Sequence, residues 1–247
     1  MSREIVQGFK DIKIDLVIKF GGSIVNDTEK TCALLKIINE ATKNGKHILV
    51  IPGGGPPDKA IEKIYAKREF TMATAHEACA LAQDQIGLIL ADPNYSEISI
   101  ACRNIKDVRV AIQNRRTPIL LPSQTLMSLD PVEYSWDITS DAIAGWVAWQ
   151  IGVSKLIVLT DVDGIYAKDV SGNLLEDKLI EKILASEVVK LGHTSIDVCL
   201  AEWIKHGYIN ECVIVNGNYP ERLDNILHEK TALSTHIYYS KSQFLAL

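Results

Sequence analysis

The sequence predicts an α/β fold, a three-layer αβα sandwich around a mainly parallel sheet. Three observations predict it. Strand-like and helix-like segments alternate along almost all of the 247 residues. The strand-like segments are near-continuous apolar runs, as in strands covered on both faces. Glycine-rich stretches follow directly on two of them, "KFGGS" from Lys19 and "PGGGPP" from Pro52.

The elements follow in order. "IDLVIKF" reads as the first buried strand. Apolar positions at helical spacing (Leu34, Leu35, Ile38, Ala41) predict a helix over 28–43, which Gly45 stops. "HILVIP" is the next strand, and helices are expected over 58–66 and 73–91. "EISIA" and "TPILLP" are short strands flanking a helix near 105–114. A helix rich in Ala and Trp spans 139–150, and "SKLIVLTDV" is another buried strand. Helices over 186–191 and 196–205 precede the strand "ECVIVNG", the short helix "PERLDNIL" and a final strand "STHIYY". No repeat, linker or low-complexity stretch interrupts this pattern. One domain over 1–247 is expected, with one half near 14–135 and another near 136–240.

Composition narrows the function. A formal net charge of −5 argues against a nucleic-acid surface. No apolar run reaches the roughly 18 residues of a membrane span, and "MSREIVQGFKDIK" is too polar for a signal peptide. The five cysteines are scattered without a C-x-x-C, so neither a disulfide framework nor a zinc site is suggested. A cytoplasmic protein with reduced thiols is expected. Neither G-x-x-x-x-G-K-[ST], G-x-G-x-x-G nor G-x-S-x-G occurs.

In open α/β sheets ligands bind at the carboxyl ends of the strands, so the loops there carry the chemistry. Gly21-Gly22-Ser23 and Gly53-Gly54-Gly55 lack Cβ atoms at their glycines, so their backbone N–H groups can close on phosphate oxygens. A tight turn is the alternative for either loop. Lys19, at the end of a buried strand, must reach water or an anion, because an unpaired buried ammonium is costly. "SWDITSDAIAG" sets Thr139, Ser140 and Asp141 at a helix start, where Ser140 could simply be the N-cap. Asp141 there could orient Lys19 or hold a metal ion. "TDVDGIYAKD" carries Asp161, Asp163 and Asp169 around Gly164, without the Glu that a calcium loop needs at its twelfth position. His76 reads as an ordinary helix histidine and His193 as a loop residue, structural or facing an acceptor. Nothing local distinguishes Asp197 or Lys205.

Together these loops resemble the amino acid kinase superfamily. Its members share an opening K-x-G-G-S, a second glycine-rich loop, an Asp before an Ala-rich helix, and T-D-x-x-G-[IV]-Y. Here these are Lys19 to Ser23, Gly53 to Gly55, Asp141, and Thr160-Asp161-Val162-Asp163-Gly164-Ile165-Tyr166. The resemblance spans roughly 14–237 and implies a sheet of about eight strands, a homodimer or larger homo-oligomer, and use of ATP with Mg²⁺. It implies that Lys19 stabilises the transferring phosphoryl group, and that Asp141 orients lysines or Mg²⁺. Gly21, Gly22 and Ser23 would hold ATP phosphates. Thr160, Asp161, Gly164, Tyr166 and Asp169 would line the nucleotide pocket. Gly53, Gly54, Gly55 and Thr139 would bind the acceptor.

"VIPGGGPPD" lacks the histidine of isopentenyl phosphate kinases, and no late G-G-M-x-x-K marks a carboxylate kinase. Three stretches, "TAHEACALAQDQIGLILAD", "SWDITSDAIAGWVA" and "TSIDVCL…VIVNGNYPER", resemble the branch that phosphorylates an aminomethylfuran methyl phosphate to its diphosphate in methanofuran biosynthesis. Pro56 and Pro57 depart from the expected pattern, which would have a basic residue one turn into the following helix. Lys59 and Lys63 are the nearby cations, and Ala201-Glu202 stands where a second lysine would be sought. Two other readings stay open: a molybdenum-storage-type protein that keeps ATP without turning over a metabolite, and a uridylate-kinase-like acceptor site.

Overall fold

A computed structural model describes residues 13–169, 172–192 and 194–240, without the side chains of 176 and 177. Among the described residues, eight strands form one sheet. In chain order they are β1 (Leu16–Phe20), β2 (Ile48–Pro52), β3 (Ser99–Cys102), β4 (Thr117–Leu120), β5 (Lys155–Thr160), β8 (Lys182–Leu184), β9 (Glu211–Asn216) and β10 (Thr235–Tyr238). Their order across the sheet is β3-β4-β2-β1-β5-β9-β10-β8. β6 (Tyr166–Lys168) and β7 (Leu174–Leu179) pair antiparallel as a separate hairpin.

The expectation of parallel pairing holds from β3 to β9 and fails at one edge. β10 runs antiparallel to β9, and β8 pairs parallel with β10. The physical reason is the return path. The short helix α9 (Pro220–Leu227) and residues 228–234 bring the chain back to the end of the sheet it had just left.

The helices form the outer layers. α1 (Thr28–Lys43) is N-capped by Asp27, whose side chain accepts from the Lys30 amide. α3 (Met72–Leu90) is capped in the same way by Thr71. α2 (Gly55–Lys67) begins three residues before the expected start. Pro56 and Pro57 lie in its first turn, where a missing N–H costs no intrahelical bond. α4 (Ile105–Gln113), α6 (Ser140–Gln150), α7 (Ala185–Leu191) and α8 (Val198–Lys205) fall close to the segments read from periodicity. α5 (Ser123–Leu129), β6, β7 and β8 were not foreseen. The first and last are too short to show a period, and the charged "LLEDKL" of β7 lacks apolar alternation.

Strand period decides what β1 presents to each layer. Leu16, Ile18 and Phe20 pack with Leu34, Leu35 and Ile38 of α1 and Leu223 of α9. Val17 faces the other layer, with Ile143, Ala144 and Val147 of α6. Lys19 shares the face of Val17 and is therefore aimed at α6. β1 lies between β2 and β5, where the topology turns from one half of the sheet to the other. This is the switch point at which α/β sheets open a crevice. Among the described residues no helix is long and apolar enough to cross a membrane.

Candidate active site

Lys19 ends its strand with its ammonium 2.9 Å from Asp141 Oδ1. The two side chains are only 11% and 9% exposed, so the charges neutralise each other out of bulk water. Asp141 reaches this position because α6 begins at Ser140, with Thr139 as its N-cap rather than Ser140. Thr139 Oγ1 accepts from the Asp141 amide and donates to Asp197 Oδ2 at 2.9 Å. Asp197 also accepts from the amides of Thr139, Ala142 and Leu200. It thus N-caps α8 while tying that helix to the start of α6. Burial and the nearby Asp141 charge push the Asp197 pKa up to about 6. Sequence reasoning had no local signal for Asp197, apart from an Asp directly before a helix.

The two glycine loops pack backbone against backbone. A Cβ on Gly22 would lie 2.3 Å from the Gly55 nitrogen and 2.7 Å from the Gly53 oxygen. A Cβ on Gly55, at φ +58°, would lie 2.5 Å from the Gly22 oxygen. Gly21 begins a 3₁₀ turn over Gly22–Asn26, and Ser23 is exposed on it. The Gly53 amide donates to the Phe20 oxygen at 2.8 Å and is thereby committed to holding the loop. Gly54 and Gly55 sit at the N-terminus of α2, the positive end of its dipole. Pro56 and Pro57 remove two of the amide donors that a first helical turn ordinarily offers. Charge on this side therefore depends more on Lys19 than in an ordinary anion-binding helix start.

Two clefts flank this centre. The larger, about 900 Å³, is lined by Thr160, Asp161, Asp163, Gly164 and Tyr166, with Lys168, Thr194 and Asn216. Gly164 has no room for a side chain, since a Cβ would meet the Thr235 hydroxyl. Asp163 was not among the expected site residues, yet it organises this cleft. Its Oδ1 accepts from Asn216 Nδ2 at 2.8 Å and from Arg222 Nη1, and Arg222 stacks on the Tyr219 ring. Burial alone would raise the Asp163 pKa, but the bonds from Asn216 and Arg222 outweigh it and lower the value. Asp169 lies away from the cleft. Its carboxylate accepts from the Asn173 backbone and side-chain amides and closes the β6–β7 turn.

The smaller cleft, about 100 Å³, lies beyond the second glycine loop. Gly54, Asp58, His76, Gln83, Thr139, Ser140 and Ile143 are among its walls. Lys59 is exposed and paired with Glu62, Lys63 is exposed, and neither lines this cavity. Ala201 is buried and Glu202 pairs with Lys205, so no second lysine enters from α8. His193 lies outside the described residues. Thus Lys19, Asp141, Thr139 and the two glycine loops converge, with the Thr160–Tyr166 stretch on one side.

The amino acid kinase family matches residues 16–216. The [5-(aminomethyl)furan-3-yl]methyl phosphate kinase of Methanocaldococcus jannaschii is 34% identical over 221 residues, covering 90% of this chain and 96% of the relative. A uridylate kinase of Methanococcus vannielii is 24% identical, covering 89% and 99%. Among solved structures, uridylate kinase from Archaeoglobus fulgidus superposes with a TM-score of 0.70 at 18% identity, over 91% of this chain and all of that one. The chain belongs to the amino acid kinase family and is a phosphotransferase.

Proposed function

We propose that this kinase transfers the γ-phosphoryl group of ATP to a small phosphate monoester, [5-(aminomethyl)furan-3-yl]methyl phosphate. The product is the corresponding diphosphate, as methanofuran biosynthesis requires. The buried Lys19–Asp141 pair at the head of the first glycine loop carries this reading. The relative that bears this activity in its name aligns over nearly its whole length. The cavity beyond the second glycine loop, about 100 Å³, suits a small ring.

An oxygen of the acceptor's phosphate attacks the γ-phosphorus while the bond to the β-phosphate oxygen breaks, and ADP leaves. Catalysis is then positioning and charge neutralisation. Lys19 meets the charge on the phosphoryl group in transfer, and Asp141 fixes the ammonium that does so. Gly21, Gly22 and Ser23 hold the ATP phosphates. Thr160, Asp161, Gly164 and Tyr166 surround the nucleotide, and Gly54, Gly55 and Thr139 receive the acceptor.

Among the described residues no three carboxylate, histidine or cysteine side chains gather into a metal cage. Asp141 nevertheless suits Mg²⁺, which is usually held by one or two carboxylates together with substrate phosphates. When bound there, Mg²⁺ would neutralise phosphate charge. The scattered free cysteines support a cytoplasmic location. The exposed Leu81, Leu88 and Ile89 along α3 support assembly as a homodimer or larger homo-oligomer.

The test is an acceptor panel of the aminomethylfuran phosphate, UMP and isopentenyl phosphate, followed by product identification. Transfer to UMP alone would refute the reading, as would purified protein carrying molybdenum or tungsten and transferring to nothing.

A further inference from the structure

The small cavity beyond the second glycine loop has an unusual chemistry for a kinase site that must take an anion. One turn into α2, where a cation would serve a phosphate, the chain places Asp58, with Glu62 four residues on. Positions i and i+4 share a helix face, so both carboxyl groups line the same wall. Gln83, on α3, lines the cavity and is only 3% exposed. Its Oε1 has no hydrogen-bond partner. A buried acceptor left unpaired costs free energy that a donor from a ligand would recover.

Among the described residues no lysine or arginine lines the cavity. His76 does, but burial lowers its pKa and keeps the ring neutral near pH 7. Glu62 is partly satisfied by Lys59 at the rim. Asp58 makes no salt bridge among the described residues; it accepts a hydrogen bond from the Cys79 thiol, and the fields of Lys59 and Lys19 reach it. Met72, Trp136 and Ile143 supply apolar walls between these acceptors. A cavity of this size is on the scale of a small ring, since an engineered apolar cavity of about 150 Å³ admits benzene.

We infer that this cavity is a subsite for a primary ammonium group on the acceptor, held by Asp58 and Gln83 with Glu62 at its edge, and that it selects amine-bearing acceptors. Anion and cation recognition are thus divided along one helix start. The Gly54–Gly55 end and Lys19 take the phosphate, while the first full turn takes the amine. Burial raises the Asp58 pKa, as expected of a carboxyl group that lacks its counter-charge. The inference deepens the proposed acceptor assignment and rests on it for the position of the phosphate.

Two acceptors decide it: [5-(aminomethyl)furan-3-yl]methyl phosphate and the otherwise identical 5-methyl compound without the amine. The wild-type enzyme should favour the amine in kcat/KM by about 10- to 100-fold, the range of a desolvated charge-assisted hydrogen bond. Asp58→Asn should collapse that preference to within about threefold. Gln83→Met, which keeps the volume and removes the acceptor oxygen, should narrow it in the same direction. Equal use of both compounds by the wild type, or an undiminished preference in folded Asp58→Asn and Gln83→Met, overturns the inference while leaving the kinase reading intact. If neither furan phosphate is used, the acceptor assignment fails. Calorimetry with furfurylamine, which carries no phosphate, then decides the subsite. Binding to the wild type that is lost in Asp58→Asn sustains it, and no binding to the wild type overturns it.

Discussion

Replacing Lys19 separates folding from chemistry, because its partner is fixed and buried. The ammonium and Asp141 lie 2.9 Å apart with 11% and 9% exposure. Removing one member of such a pair strands the other charge, at a cost of about 3–5 kcal/mol. The nearby Asp197 adds a second carboxyl group, so Lys19→Met belongs at the upper end of that range. Native domains hold about 5–15 kcal/mol, so the variant should fold with a reduced margin. Asp141→Asn leaves the ammonium unpaired and should also destabilise. The double variant carries neither charge and should recover much of the loss. Urea unfolding of all four proteins gives the coupling energy, and phosphoryl transfer is measured on the same samples. The expected pattern is strong non-additivity in stability together with transfer at least about 100-fold down in every variant lacking Lys19. Additive stabilities within about 0.5 kcal/mol would refute the buried-pair reasoning. Normal transfer by Lys19→Met would refute the catalytic role.

Other perturbations test the surrounding geometry. Gly22→Ala forces a Cβ onto the Gly55 and Gly53 backbones and should cost about 1–3 kcal/mol and abolish transfer; an unchanged melting temperature would contradict the loop packing. Arg222→Ala leaves Asp163 with Asn216 as a remaining partner beside the larger cleft and should raise the KM for ATP about tenfold with a smaller change in kcat, as read from initial rates. Asp197 titrates near 6 in the folded chain, above its ordinary value of 3.8. The folded state therefore binds more protons than the unfolded state between about pH 4 and 6, and this group's contribution to stability falls as pH rises through that window. Relative to wild type, Asp197→Asn should gain in melting temperature from pH 4 to pH 6 and stay level above; a pH-independent difference would show that Asp197 is not held out of its ordinary range.

What was legible in the sequence follows the range of the forces involved. β1, α1 and α9 could be placed within a residue or two because burial period and helix stops act locally. Lys19, both glycine loops and Asp141 stood out because each follows a strand or opens a helix, where a crevice was already expected. Distance along the chain hid the rest. Asp197 lies 55 residues or more from the groups it binds at the start of α6, and Arg222 lies 59 residues from Asp163. Gln83 reads as one of several polar residues on α3, and only packing turns it toward the cavity that Asp58 shares. The same limit explains the prolines. From sequence alone, Pro56-Pro57 marked a missing cation and left the acceptor open. In the fold they give up two amide donors at the start of α2, and a carboxyl group follows in the same turn. Beyond the Gly54–Gly55 end, a first turn altered in this way is poorly suited to a further anion and suits an acceptor whose far end is positive. Helix geometry, with Pro56, Pro57, Asp58 and Glu62 on the first two turns, joins with the buried Gln83 to turn the departure from the family pattern into the proposed preference for an amine-bearing acceptor.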